Sequence, residues 1–392
     1  MSAAAPDRLR WRMSLEARGV VIVTSVLLAF GLATLYSASA GVAMQAGRPS
    51  WFFLLRQLSG VVIGVVAFAI AAKMDAERWR AWAWPLMGLT IFALLLTVLP
   101  FTRGIAPPIN GSRRFLLGGS IQPSELGKLA VVVWTAMLIV KKGGEAGLRR
   151  LSKGIIPFAI VLGVLGALAV AEPDLSVAVF YAGVMGVMLF AAGARIGHFV
   201  LLGAIGMVAG WQYVQKVEYA IRRIVGFTGG AAESTDQVMH QLQQSLIAVG
   251  SGGFLGVGFG QGRQQFGFLP LPYNDFIGSN VGEEWGFVGL GGLIVAYALW
   301  GWLGFRIARA ARTPFQQLVA IGLTVTMLVT AYLHLGVVTG LLPTTGLTLP
   351  FISYGRSNIL ISLLITGILV NIGSLQERVS GGRATDPLAA SR

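Results

Sequence analysis

Apolar stretches of about 20 residues recur along the whole chain and constrain its fold more than any other feature. The 392-residue sequence has ten of them, bounded by charged residues or by glycine and proline clusters. About 20 apolar residues in a helix cross a hydrocarbon layer roughly 30 Å thick, and the helix satisfies its own backbone hydrogen bonds there. The sequence therefore predicts an all-α integral membrane protein with about ten transmembrane helices. The predicted spans are 19–37, 52–72, 81–99, 124–140, 155–171, 175–192, 197–213, 281–305, 315–342 and 359–373.

The charge composition agrees with this fold class. Charged residues make up only 12% of the chain, whereas about 25% is usual in soluble domains. The net charge is +14, but the basic residues lie between the apolar stretches. This distribution is typical of membrane loops near anionic lipid heads and argues against a nucleic-acid-binding face. The chain has no cysteine, so disulfides and thiolate chemistry are excluded.

The basic residues also predict how the spans are oriented. Assigning the connections to alternate sides places 19 of the 30 Lys and Arg residues on the side of the two termini. Loops rich in Lys and Arg stay on the cytoplasmic side, so we expect both termini to be cytoplasmic. Residues 1–18 are then an N-terminal tail, residues 19–373 one membrane domain, and residues 374–392 a polar, disordered tail.

Two connections, both predicted on the outer side, are longer than passive turns need to be. They comprise residues 100–123 and residues 214–280, and the second lies between the seventh and eighth helices. Within it, residues 237–249 have apolar positions at helical spacing. This pattern predicts a helix that lies on the membrane surface or dips into it. We therefore expect the functional residues in these two outer loops.

Asp275 is the first candidate for chemistry. It follows an aromatic and proline-rich stretch and precedes the eighth span. An acid at a membrane boundary can have a raised pKa and act as a general base, although a carboxylate there can equally cap the next helix. Glu283 and Glu284 follow at the predicted start of that span. There they can cap the helix or, together with Asp275, hold a divalent cation.

Two pairs of neighbouring arginines lie in the long outer loops. They are Arg113 with Arg114 and Arg222 with Arg223. A guanidinium group offers several donors in a planar fork, which suits a pyrophosphate ligand. Contact with lipid head groups explains such arginines equally well.

Glu125 and Lys128 bring opposite charges into the fourth span. They stand three residues apart and so share one helix face. Because an unpaired charge in or near hydrocarbon is costly, we expect an internal ion pair. The pair either has a purely structural role or positions a catalytic loop.

A glycine-rich run covers residues 250–262. It matches neither of the two common phosphate-binding glycine patterns, and no strand is expected beside it. We therefore expect a flexible or closely packed backbone segment rather than a phosphate cradle.

Several stretches, taken in order, resemble the SEDS family (shape, elongation, division and sporulation) of polytopic membrane proteins. The resemblance covers nearly the whole chain, and the order of the stretches makes it specific. Residues 343–350 resemble the division branch more than the elongation branch. The matching stretches are LYSAS 35–39, NGSRRF 110–115, IQPSELGK 121–128, EPDL 172–175, QSLIAVGSGG 244–253, FLP 268–270, NDFI 274–277, GEEWGFVG 282–289 and LPTTGLTLPFISYG 342–355.

The resemblance implies a peptidoglycan glycosyltransferase that polymerises lipid II, the disaccharide pentapeptide on undecaprenyl pyrophosphate. The reaction would take place at the outer face of the cytoplasmic (inner) membrane, at the division septum. Asp275 would take the proton from the 4-hydroxyl of the acceptor sugar. The implied partners are a class B penicillin-binding protein, other division proteins and membrane lipids, without nucleic acid.

The resemblance also implies roles for the other candidates. The expected cofactor is at most a divalent cation, Mg or Mn. Substrate-binding residues would be Arg113, Arg114, Arg222, Arg223, Gln244 and Ser245. Structural or positioning residues would be Glu125, Lys128, Glu283 and Glu284.

Three other functions stay open at this point. They are an elongation polymerase, a lipid II transporter that uses intramembrane charges, and a non-catalytic division scaffold. The scaffold is motivated by departures from the family pattern. Residues 271–274 read LPYN where the family commonly has EAHT, and Arg356 stands where it has glycine.

Overall fold

The computed structural model describes residues 8–108, 113–216, 237–380 and 383–384. In this part of the chain, eight helices are long and apolar enough to cross a membrane, and Leu175–Ala191 and Arg356–Ile372 are shorter apolar helices. Each predicted span coincides with one of these helices. The prediction of an all-α membrane fold is therefore confirmed.

Twelve α-helices follow one another in the described part of the chain. They are α1 (Leu15–Gln45), α2 (Phe52–Lys73), α3 (Arg78–Val98), α4 (Pro123–Lys141), the short α5 (Glu145–Leu148), α6 (Ile156–Ala171), α7 (Leu175–Ala191), α8 (Ile196–Lys216), α9 (Gln237–Gly252), α10 (Ile277–Arg309), α11 (Pro314–Val338) and α12 (Arg356–Ile372). A π-helical turn, Leu151–Ile155, precedes α6, and 3-10 turns occupy Pro100–Thr102 and Gln264–Phe266.

The antiparallel course of successive helices gives the bundle two sides. The loop side carries residues 99–108, 113–122 and 253–276, and the tail side carries residues 8–14 and 373–380. On the tail side, strand β1 (Arg8–Met13) pairs antiparallel with β2 (Ser374–Ser380), which also pairs with β3 (Arg383–Ala384). The polar composition predicts disorder from residue 374 onward, whereas backbone pairing with β1 makes residues 374–380 a strand. Residues 381–382 and 385–392 lie outside the described residues.

Helix α4 lies at the centre of the bundle and α8 at its edge. In the most apolar window of α4, 89% of the residues are buried, against 0% in α8. Helices α2 and α12 pack closely, and a Cβ atom at Gly367 would lie 2.6 Å from the carbonyl oxygen of Phe68. Glu125 and Lys128 on α4 are therefore surrounded by protein rather than lipid.

The second long loop contains one helix, α9, and is followed by another, α10, that starts earlier than the sequence predicts. Residues predicted as an amphipathic helix form α9, which packs its buried Leu242, Ser245 and Ala248 toward the bundle. Helix α10 starts at Ile277, four residues before the predicted span, and its backbone is broken at Gly286 (φ 61°, ψ −155°). At this break, the backbone of the glycine-rich segment forms hydrogen bonds with the backbone of α10.

Candidate functional site

The glycine-rich segment is hydrogen-bonded into the break of α10. The N–H of Phe287 donates to the carbonyl of Gly253 (2.9 Å) rather than to a carbonyl one turn earlier in α10. The carbonyl of Glu283, four residues before Phe287, accepts from the N–H of Val257 (2.9 Å). The loop thus supplies hydrogen-bond partners that a continuous helix would supply itself.

A second set of bonds repeats this exchange one residue later. The N–H of Val288 donates to the carbonyl of Phe254 (3.2 Å), and the carbonyl of Glu284 accepts from the N–H of Gly258 (3.1 Å). Gly256 lies between them with φ 86°, and a Cβ atom there would overlap the carbonyl oxygen of Glu284. Of the two expectations for this run, a flexible or a closely packed backbone, close packing applies at Gly256.

The carboxylates of Glu283 and Glu284 hold the surrounding segments in place. Glu283 Oε1 accepts from the N–H of Arg263 at 2.7 Å, and its Oε2 accepts from the N–H of Gln264 at 3.2 Å. Glu284 accepts a hydrogen bond from the hydroxyl of Ser37 on α1. Both glutamates are 1% exposed. Because α10 begins more than one turn before them, neither caps the helix, which corrects the sequence expectation.

The described residues do not form a metal centre with these acids. In that part of the chain, no group of three or more His, Cys, Asp and Glu side chains could hold a metal ion. Glu283 also uses its oxygens on backbone N–H groups. The expected Mg or Mn ion therefore stays a prediction, without a ligand set of its own in the described protein.

Asp275 lies at the end of the loop and is partly buried. Phe276 occupies the N-cap position of α10, so Asp275 stands one residue outside it. The backbone before Asp275 is pinned from another element, because Ser353 Oγ donates to the carbonyl of Asn274 (2.8 Å). The N–H of Tyr354 likewise donates to the carbonyl of Tyr273 (2.9 Å). The turn before α12 thus fixes the position of the candidate base.

Tyr273 joins Asp275 to an aromatic cluster. Its ring centroid lies 4.5 Å from that of Phe53 on α2 and 5.7 Å from that of Tyr354. Burial raises the pKa of Tyr273, and the negative charges of Tyr354 and Asp275 raise that pKa further. The carboxylate of Asp275 is therefore within electrostatic range of this ring.

His334 on α11 contacts the start of α10 next to Asp275. The sequence did not mark it as a site residue. Its Nε2 accepts from the N–H of Gly278 (3.3 Å), so Nδ1 carries the hydrogen and donates to the carbonyl of Leu347 (2.9 Å). The ring is 1% exposed and holds the first turn of α10. A lone histidine in an apolar span predicts only a satisfied polar residue. The supporting Ser353 and Tyr354, by contrast, lie in the recognised stretch 342–355.

Arg113 and Arg114 bind the protein's own loops in this structure. Arg113 donates from Nε to the carbonyl of Ala106 (3.0 Å), within the same loop. Arg114 forms a 3.3 Å ion pair with Asp174 and donates to the carbonyl of Pro173 (2.8 Å). These bonds join the first outer loop to the turn between α6 and α7. Substrate binding by these two arginines stays a prediction.

The same turn contains a buried acid, Glu172, and a charged pair lies on α4. Burial raises the pKa of Glu172 from 4.5 to about 8, although a hydrogen bond from Thr97 partly offsets the effect. Lys128 and Glu125 form the expected ion pair at 2.7 Å, and each residue is 4% exposed. Tyr181 on α7 donates to the carbonyl beside this pair, that of Ser124, at 2.8 Å. The pair is therefore part of the α4–α7 contact.

The remaining predicted binding residues are placed differently. Ser245 is fully buried and bonds to the Ser279 hydroxyl (2.6 Å) and to the Val338 carbonyl (2.8 Å), so it joins three helices inside the bundle. Gln244 beside it is partly exposed. Arg222 and Arg223 lie outside the described residues.

Arg356 begins α12 and reaches the first outer loop. Its guanidinium donates to the hydroxyl of Ser120. Ser357 donates to the carbonyl of Ser120 (3.1 Å) and accepts from the N–H of Gln122 (2.9 Å). Arg356, which departs from the family pattern, thus forms a contact between α12 and the first outer loop.

Comparison with known proteins places these features in a family. The family model described as "Cell cycle protein" (FtsW, RodA and SpoVE) matches residues 18–378. Stage V sporulation protein E of Bacillus subtilis is 38% identical over 355 residues, covering 90% of this chain and 95% of that protein. The probable peptidoglycan glycosyltransferase FtsW of Trichlorobacter lovleyi is 37% identical over 357 residues, covering 91% and 92%.

Solved structures share the same fold. One chain of a peptidoglycan synthase complex that coordinates polymerization and crosslinking has a TM-score of 0.73 and 26% identity, covering 91% of this chain and 97% of that chain. The rod shape determining protein RodA of Thermus thermophilus has a TM-score of 0.64 and 25% identity, covering 91% and 95%. The chain therefore belongs to the FtsW/RodA/SpoVE (SEDS) family of membrane proteins.

Proposed function

We propose that this protein is a peptidoglycan glycosyltransferase that polymerises lipid II. The observation that carries the proposal is Asp275, a partly buried carboxylate on a loop that two helices and the 350–355 turn hold in place. A base must be held in one position to accept a proton at the right moment. Family membership and the names of the FtsW relatives support the same activity.

The chemistry requires one proton transfer and one substitution. Asp275 takes the proton from the 4-hydroxyl of the acceptor sugar as this oxygen attacks the anomeric carbon of the donor. The new glycosidic C–O bond forms while the bond to undecaprenyl pyrophosphate breaks, with inversion at the anomeric carbon. Basic groups near the leaving pyrophosphate would offset its charge. Arg222 and Arg223 are our candidates for that role, with Gln244 as a further contact.

The proposal includes a location and partners. The excess of basic residues on the tail side supports cytoplasmic termini, with the loop side facing outward from the inner membrane. A class B penicillin-binding protein would crosslink the product, and the match to a chain of a synthase complex supports a stable partner. The 343–350 stretch favours a role at the division septum over one in elongation.

The test compares wild type with Asp275→Asn. Each protein is reconstituted in liposomes with its class B penicillin-binding partner, lipid II and a divalent cation, and the glycan products are separated by size. Glu145→Gln is the matched control, because Glu145 is an exposed acid on the tail side. We expect polymer from wild type and Glu145→Gln only. Polymer from Asp275→Asn would remove the base from this role, and no polymer from an intact wild-type complex would overturn the activity.

A further inference from the structure

Two exposed arginines and three aromatic rings lie next to the segment that carries Asp275. The guanidinium carbon of Arg48 lies 4.2 Å from the ring centroid of Phe52, and that of Arg56 lies 5.2 Å from the same centroid. Both arginines are exposed, and Phe52 is partly buried. Phe52 and Arg56 lie in the first two turns of α2 and Arg48 in the turn before it, on the loop side, where a membrane-anchored phosphate would also lie.

The aromatic part of this surface leads directly to the candidate base. Phe53, next to Phe52, contacts Tyr273 (4.5 Å between centroids) and Tyr354 (5.4 Å). All three rings are partly exposed to solvent or lipid and partly buried against protein. Tyr273 is two residues from Asp275, and its backbone is bonded to Tyr354. The surface and the base are thus held as one unit.

The arginines on this surface keep their charge available. Among the described residues, no carboxylate lies within ion-pair distance of Arg48 or Arg56. Two unmatched positive charges at a membrane boundary attract a phosphate. A sugar packs its C–H groups against the negative face of an aromatic ring.

The geometry points to a sugar-phosphate subsite formed by Arg48, Phe52, Phe53, Arg56, Tyr273 and Tyr354, here called the aromatic–arginine patch. Its ligand is the head group of the polyprenyl-linked substrate, so the inference rests on the proposed function. The arginines bind the phosphates at the membrane boundary, and the rings of Phe53, Tyr273 and Tyr354 contact a sugar on the way to Asp275. This arrangement orients the substrate with its lipid chain beside α2.

The test measures binding rather than turnover. Fluorescent lipid II is titrated onto the full-length protein in phosphatidylcholine nanodiscs, in an Asp275→Asn background that prevents consumption of the ligand. Tyr354→Leu removes a ring, Tyr354→Phe keeps it, and the double variant Arg48→Gln/Arg56→Gln removes both charges. Phe190→Leu and Arg149→Gln are matched controls, because they remove a paired ring and an exposed arginine elsewhere.

We expect the dissociation constant to rise about tenfold in Tyr354→Leu and in the arginine double variant, because one lost aromatic or charge-assisted contact has about this effect. Tyr354→Phe and both controls should stay within about twofold of the background. Should Tyr354→Leu fail to fold, Phe53→Leu replaces it. Unchanged binding in the ring and arginine variants would overturn the subsite.

Two further arms separate the sources of the phosphate and the two proposals. Binding is repeated with phosphatidylglycerol added to the nanodiscs. If the arginine variant loses affinity for phosphatidylglycerol but not for lipid II, the patch is a general lipid contact and the subsite is overturned. Lipid II binding and polymer formation are also measured with Asp275 intact, in the complex with the class B penicillin-binding partner and with a divalent cation. Patch-dependent binding without polymer would contradict the proposed function and leave the subsite standing.

Discussion

The backbone N–H of Val257 donates to the carbonyl oxygen of Glu283 at 2.9 Å, across the break in α10. This bond joins the start of the loop to the helix that follows its end. The segment that carries Asp275 is therefore anchored to α10 at both ends, with the Glu283 carboxylate holding Arg263 between them. Such anchoring restricts the loop without a disulfide or a metal, neither of which the described residues supply.

Adding one methyl group at Gly256 should disrupt this anchor. Gly256→Ala places a Cβ atom on the carbonyl of Glu284 at a positive φ, whereas Gly253→Ala has a positive φ (55°) and open space. We expect Gly253→Ala to cost about 1 kcal/mol of stability and Gly256→Ala clearly more, with loss of polymerisation. Thermal unfolding in detergent and glycan synthesis measure the two effects. Equal behaviour of the two variants would contradict the packed insertion.

Removing the Glu283 carboxylate should loosen the loop. Glu283→Ala leaves the N–H groups of Arg263 and Gln264 without their acceptor, at a cost of about 1–3 kcal/mol. Glu283→Gln keeps one acceptor oxygen and should retain more stability and more activity. Hydrogen exchange of residues 253–276 checks the reason, because exchange should rise in Glu283→Ala. If both variants exchange as wild type does, the carboxylate does not position the loop.

The buried pair on α4 should be costly to break from one side only. Removing one charge leaves the other unpaired inside the bundle, so Glu125→Gln or Lys128→Met alone should destabilise the protein by about 3–5 kcal/mol. The double variant leaves no unpaired charge and should recover much of that loss. A double-mutant cycle of unfolding free energies measures the coupling. Additive losses would mean that the two charges do not depend on each other.

Stability should depend on pH through Glu172. Its pKa is raised from 4.5 to about 8, so between these values the folded protein holds a proton that the unfolded chain releases. Stability therefore falls as pH rises from about 4.5 toward 8. Glu172→Gln mimics the protonated form and should flatten this dependence, whereas Glu145→Gln, at an exposed acid, should leave it unchanged. Unfolding midpoints in a buffer series provide the measurement, and an unaltered slope in Glu172→Gln would refute the assignment.

Much of the fold and part of the site could be predicted from the sequence. Apolar stretches at helical length predict where the membrane helices lie, because an apolar helix of this length is stable in hydrocarbon whatever its neighbours are. The three-residue spacing of Glu125 and Lys128 likewise predicts their ion pair, since it is a property of one helix. The order of short motifs identifies the family and points to Asp275.

Only the tertiary structure decided what the other charged and polar side chains contact. Glu283 lies at the same place in the sequence whether it caps a helix or holds a loop, and its hydrogen bonds with Arg263 and Gln264 show that it holds the loop. Arg114 meets Asp174 and Tyr273 meets Phe53 because separate helices come together on the loop side. Such contacts join residues far apart in the chain. Local composition and periodicity do not encode which distant element will pack against a given side chain.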